Sequence, residues 1–144
     1  LMRLRNIRRT QMKVELDIKV KPRPKERPRF NGHAYTPKRT REYEDLIRGT
    51  YAIKTDKVFD SPIKIEIRAC FKIPNGLSSV KKYELVGKPC TSHRKGDADN
   101  IAKAVLDGLN RIAYTDDTLV TDLHVSKRWA TEDRLKITIS DMEG

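Results

Sequence analysis

From Lys13 to Val20 the chain alternates strictly, with Val14, Leu16, Ile18 and Val20 on one side and Lys13, Glu15, Asp17 and Lys19 on the other. Period-two alternation with one apolar face describes a strand that protein covers on one side only. The pattern returns at Ile63, Ile65, Ile67, Ala69 and Phe71, opposed by Lys64, Glu66, Arg68 and Cys70. It returns again at Leu135, Ile137 and Ile139, after a turn at Glu132-Asp133. A further strand is predicted from about Leu119 to Trp129. Strands with one wet face exclude a sheet sandwiched between two helical layers. Any helices must pack on one side.

Two helices are predicted. Thr36 is placed to cap the first, with Pro37 at its first helical position. Tyr43, Leu46, Ile47, Thr50 and Tyr51 then recur at helical spacing and form its apolar stripe. The second is predicted over about Asn100 to Ile112, burying Ile101, Ala104, Val105, Gly108 and Ile112. Residues 74–96 read as loop, with a short helical turn between Ser78 and Leu85. The three prolines of residues 21–30, KPRPKERPRF, oppose regular ladder pairing, and Asn31-Gly32 marks a turn. The expected fold is α+β: two layers, a mixed β-sheet with two helices packed on one face.

A length of 144 residues suits one domain, expected over residues 12–144. The basic tract Leu1 to Gln11 lacks an apolar period and reads as a flexible extension or a non-native remnant. No apolar run is long enough to span a bilayer, so no membrane partner is expected. Cys70 and Cys90 form no CxxC pair and have no histidine at zinc spacing. They read as free thiols of a cytoplasmic protein.

With 31 Lys+Arg against 20 Asp+Glu, the net charge is +11. Such an excess favours a polyanionic partner, because each neutralised phosphate releases condensed counterions. Against that background, the acids of the segment GDADNIAKAVLDGLNRIAYTDD stand out. They form two knots, Asp97 with Asp99 and Asp116 with Asp117, at either end of the second helix. Phosphodiester hydrolysis needs an activated water and counter-charge for the phosphate oxygens. Mg²⁺ or Mn²⁺ held by two to four carboxylates provides both. Asp97 and Asp99, two apart in an extended lead-in, would point the same way. Lys103, one helical turn after Asp99, could meet charge developing on the scissile phosphate. Each residue also has a plainer reading. Asp before a helix is a common cap, Asp-Asp is ordinary turn chemistry, and Lys103 could pair with Asp99 or Asp107.

The run Asp97-x-Asp99-Asn100-x-x-Lys103-x-x-x-Asp107-x-Leu109, followed by Asp116-Asp117, is similar to the signature of RusA-like Holliday-junction resolvases. Arg27-Pro28-Arg29, Tyr35-Thr36-Pro37 and Tyr43-Glu44 also resemble the N-terminal half of that family. The resemblance implies that Asp97, Asp99 and Asp117 bind the metal, with Lys103 also needed for cleavage. It makes Asp116 a supporting acid, leaves Asn100 and Asp107 structural or in outer contact with the site, and implies a homodimer typical of phages and prophages. The implied function is Mg²⁺-dependent cleavage of four-way DNA junctions.

Arg27 and Arg29 are candidate phosphate contacts on a proline-stiffened arm. Arg94 and Lys95 abut Asp97 and could hold the substrate phosphate. Lys127, sharing a strand face with Leu123 and Val125, would be unusual as pure core and is a further DNA-binding candidate. His124 reads as a surface histidine, and His93 as a minor substrate contact. Two rival functions remain at this point: a basic domain that binds DNA or RNA without cutting, and a related nuclease acting on other branched DNA.

Overall fold

The computed structural model describes residues 11–142, apart from the side chain of His93. The tract expected to be an extension, residues 1–11, therefore lies almost wholly outside the described residues. Gln11, the exception, donates a side-chain hydrogen bond to the Asp141 carbonyl.

The alternating segments form the main sheet: β1 (Lys13–Ile18), β4 (Ile63–Lys72), β5 (Val120–Ala130) and β6 (Arg134–Asp141). Their spatial order is β1-β6-β4-β5, with β4 and β5 parallel and the other pairs antiparallel. The register aligns the apolar positions across all four strands, so that Leu16, Ile137, Ile67 and Val125 form one row. Leu16, Ile67 and Ile137 are buried in the central cluster. Truncating one such residue to alanine would cost about 2–5 kcal/mol. Two short strands, β2 (Arg29–Phe30) and β3 (Ala34–Tyr35), pair around Asn31-Gly32. The prolines thus delay ladder pairing until just past Pro28 rather than prevent it.

Helices α1 (Lys38–Lys54) and α3 (Ala98–Leu109) pack against each other and the sheet, while α2 (Ser79–Leu85) buries no residue. The α+β architecture with a mixed sheet is therefore as expected. Gly108 lets α3 approach α1, because a Cβ there would lie 3.2 Å from the Ile47 Cβ and 3.3 Å from the Glu44 carbonyl. No described helix is long and apolar enough to cross a membrane.

Local details differ from expectation. Pro37, not Thr36, occupies the cap position of α1, and no side chain caps it. The buried stripe of α1 is Thr40, Tyr43, Ile47 and Tyr51, whereas Leu46 is 42% exposed. Helix α3 starts at Ala98 and stops at Leu109, leaving Ile112 half-buried in the following turn. Cys70 is buried although its neighbours on the outer face are not, since Arg134 and Arg128 flank it on the adjoining strands.

Candidate active site

The start of α3 is held by three separate elements. Gly96 adopts a positive φ of 92°, and a Cβ there would come within 2.7 Å of Pro24. The Lys127 ammonium donates a 2.7 Å hydrogen bond to the Gly96 carbonyl. The Lys25 backbone N–H donates to the Asn100 carbonyl. The proline-rich segment, β5 and the loop before α3 thus converge on the residue preceding Asp97.

Asp97 occupies the cap position of α3, yet its side chain makes no capping hydrogen bond. Asp99 lies within the first helical turn, not in an extended lead-in, so the two carboxylates do not share a direction through strand alternation. Both residues are exposed, and neither side chain has a hydrogen bond or ion pair among the described residues. Lys103 is likewise exposed and has no ion pair among the described residues. It does not bridge to Asp107, whose carboxylate lies 2.9 Å from Lys25. The capping and salt-bridge readings of these three residues therefore lack the contacts they require.

At the other knot the two aspartates differ. Asp116 accepts hydrogen bonds from the Thr118 hydroxyl at 2.7 Å and the Asp117 N–H at 2.9 Å. The Thr118 contact leads in holding the Asp116 carboxyl below its ordinary range. The Asp117 side chain is exposed, with the Asp116 carboxyl as its side-chain neighbour. Asp116 shapes the turn, and Asp117 is presented to solvent.

One chain does not bring the two knots together. Lys127 locates the start of α3 beside the far half of β5, whereas Asp117 precedes the first residue of that strand. Seven strand steps separate Val120 from Lys127, roughly 20 Å at the usual rise. Among the described residues, no three His, Cys, Asp or Glu side chains form a group that could hold a metal ion.

Cations surround the Asp97 end. The Lys95 ammonium lies 5.8 Å from the centre of the Phe71 ring. It also crowds Lys21, whose pKa is lowered chiefly by that like charge. Arg94 and Arg27 are exposed, and Arg29 faces Glu26 at 3.8 Å. Lys127 directs its ammonium to the protein backbone. His124 lies exposed on the outer sheet face, where Glu66 is its neighbour across the pair of strands.

Sequence reading did not single out Lys25 and Lys21 within the basic arm. Lys25 joins Glu44 at 2.7 Å and Asp107 at 2.9 Å, tying the proline-rich segment to α1 and α3. Burial opposes its charge, but the hydrogen bonds to both carboxylates prevail and raise its pKa. Such long-range partners leave no local signature.

The model of the family described as endodeoxyribonuclease RusA matches residues 18–140, which contain all of these groups. The chain belongs to the RusA family. It is also 32% identical over 107 residues to the Uncharacterized protein YqaN of Bacillus subtilis (strain 168), covering 71% of this chain and 72% of that protein. The RusA match spans the proline-rich segment, both acidic knots, β4, β5 and all but the last residue of β6, and begins at Ile18, the last residue of β1.

Proposed function

We propose that this RusA-family chain is a divalent-metal-dependent, structure-selective DNA endonuclease that resolves four-way junctions as a homodimer. The observation that carries the reading is the exposure of Asp97, Asp99 and Asp117, the first two without a hydrogen bond or ion pair among the described residues, in a chain of net charge +11. A module that only bound nucleic acid would gain nothing from unpaired carboxylates, which repel phosphate. Asp97 and Asp99 offer hard oxygen donors suited to Mg²⁺, with Mn²⁺ also acceptable. When bound, such an ion supplies counter-charge to the phosphate and lowers the pKa of an attacking water. Lys103, one turn further along α3, would stabilise charge on the scissile phosphate or leaving oxygen. Arg94, Lys95, Lys21 and the Arg27/Arg29 pair would hold the flanking backbone.

The separation of the knots favours two copies. Strand β5 lies at the sheet edge, and no described strand or loop pairs with its outer side between Thr121 and Ser126. Its Leu123, on the helix side of the sheet, is 46% exposed. Antiparallel pairing of two β5 edges about a two-fold axis would set the start of one strand beside the far half of the other. Asp117 of one copy would then approach Asp97 and Asp99 of its partner. Two such centres would suit resolution, which requires symmetry-related cuts.

Complementation tests this reading. Asp99→Asn and Asp117→Asn chains, each inactive alone, should regain junction nicking when co-expressed as mixed dimers, because one of the two centres is intact. Continued inactivity of verified mixed dimers would rule out a centre shared between copies.

A further inference from the structure

The helices cover one side of the main sheet, leaving the other side open to solvent. Charges on that open face are not distributed evenly. Toward the start of β1 and β4, cations are neutralised within their own strands: Lys13 meets Glu15 at 3.1 Å and Lys64 meets Glu66 at 3.0 Å. Toward the far end of β4, Arg134 is paired with Asp17 at 3.1 Å and Glu132 at 2.7 Å. Asp17 also faces Lys136 across the β1–β6 pair, yet further cations lie beside them. Lys136 stands directly opposite Arg68 across the β6–β4 pair, and Arg128 stands opposite Cys70 on β5. Like charges placed opposite each other on a sheet are destabilising. Arg68 and Lys136 nevertheless have no ion pair or hydrogen bond among the described residues, and Arg128 donates only to the Lys127 carbonyl. Ser126 and Thr138 border a concavity of about 280 Å³ between Arg68 and Lys136, with Glu66 and His124 at its other side.

We propose that this basic end of the open sheet face, formed by Arg68, Arg128 and Lys136, is a second binding surface for the phosphate backbone of DNA. The proposal deepens the nuclease reading and rests on it for the choice of DNA as the polyanion. Position supports that choice. Arg128 directly follows Lys127, whose ammonium holds the Gly96 carbonyl beside Asp97. The cationic patch and the first acidic knot therefore lie at the same end of the sheet, on opposite faces. Lys21 and Lys95 occupy that end on the helix side. A nucleic acid bound at the acids could continue around the end of the sheet and meet unpaired cations on both faces. Hydroxyls of Ser126 and Thr138 suit phosphate oxygens.

The test compares the full chain carrying Asp99→Asn with the same chain also carrying Arg68→Ala, Arg128→Ala and Lys136→Ala. Binding to a fluorescent four-way junction and to a linear duplex is measured across a salt series. Removing three cations that each neutralise a phosphate should make the slope of log affinity against log salt shallower by roughly 2.7, at about 0.9 per phosphate. Lys13→Ala with Lys64→Ala, at the neutralised end, should leave the slope unchanged. Should the triple variant fold poorly, Lys136→Glu provides an independent reading, because it can pair with Arg68 and withdraws two cations together. Parental affinity and slope in either folded variant would overturn the proposal. If the slope falls as expected but the chain with Asp99 intact cuts no branched DNA, the surface stands and the nuclease reading is removed.

Discussion

The Lys127 ammonium lies 2.7 Å from the carbonyl oxygen of Gly96, coupling the edge strand β5 to the loop that delivers Asp97. Pro24 closes the other side of the same glycine. Lys127→Ala should lose about 1.5–3 kcal/mol of stability, the usual worth of a hydrogen bond to a charged group. It should also raise the Mg²⁺ concentration needed for half-maximal cleavage, while the salt slope of DNA binding stays unchanged. Lys127→Arg should restore part of the metal dependence. A changed salt slope with unaltered metal dependence would instead make Lys127 a phosphate contact. Gly96→Ala combines a positive φ with the Pro24 clash and should cost about 1–3 kcal/mol.

Lys103→Ala should lower the cleavage rate on the order of 100-fold at saturating enzyme, with little loss of junction affinity. Single-turnover kinetics and binding measured on the same junction separate the two effects. Equal losses of rate and affinity would identify a simple phosphate contact.

Arg27→Ala with Arg29→Ala should weaken binding to junctions of any sequence. The salt slope should become shallower by about 0.9 for each phosphate no longer neutralised. The segment that carries these arginines is docked through Lys25, so the double variant should melt close to the parent. An unchanged slope would place the phosphate contacts elsewhere, with Arg94, Lys95 and Lys21 next in line.

The fold should weaken in alkali. Burial pushes the Tyr43 and Tyr51 hydroxyls up to about 12, and Lys25 is raised by its two carboxylate partners once burial is outweighed. Each group binds its proton more tightly in the folded chain. Stability is therefore full below the unfolded values near 10 and falls as pH rises from about 10 to 12. Urea melts between pH 8 and 11.5 measure this. Tyr51→Phe, which removes a hydrogen bond to the Lys57 carbonyl, should cost about 1 kcal/mol at pH 8 and flatten the alkaline decline. A parent stability independent of pH over this range would contradict the burial of both hydroxyls.

Strand periodicity made the sheet legible, because each one-sided strand announces its buried face through residues such as Ile65 and Ile137. The helical layer was legible for the same reason, through Ile47 and Val105. Boundaries were harder: Thr36 and Asp97 are both residue types that cap helices, but one precedes the cap position and the other fills it without a hydrogen bond. The chemistry of Asp97, Asp99 and Lys103 could be named from spacing. That Lys103 does not bridge to Asp107 could not, since Asp107 is taken by Lys25 from across the fold. The distance between the acidic knots was also hidden, because the direction of β5 relative to α3 is a tertiary fact.

Cleavage of a synthetic mobile four-way junction, end-labelled on each strand and compared with linear duplex, tests the nuclease reading most directly. With Mg²⁺ the parent chain should introduce paired nicks in the junction and leave the duplex intact. Chelation of the metal should stop the reaction. Asp99→Asn should bind the junction without cutting it. Normal cleavage by Asp99→Asn, or none by the folded, junction-binding parent with Mg²⁺ or Mn²⁺, would contradict the assignment of these acids to a metal-dependent nuclease centre.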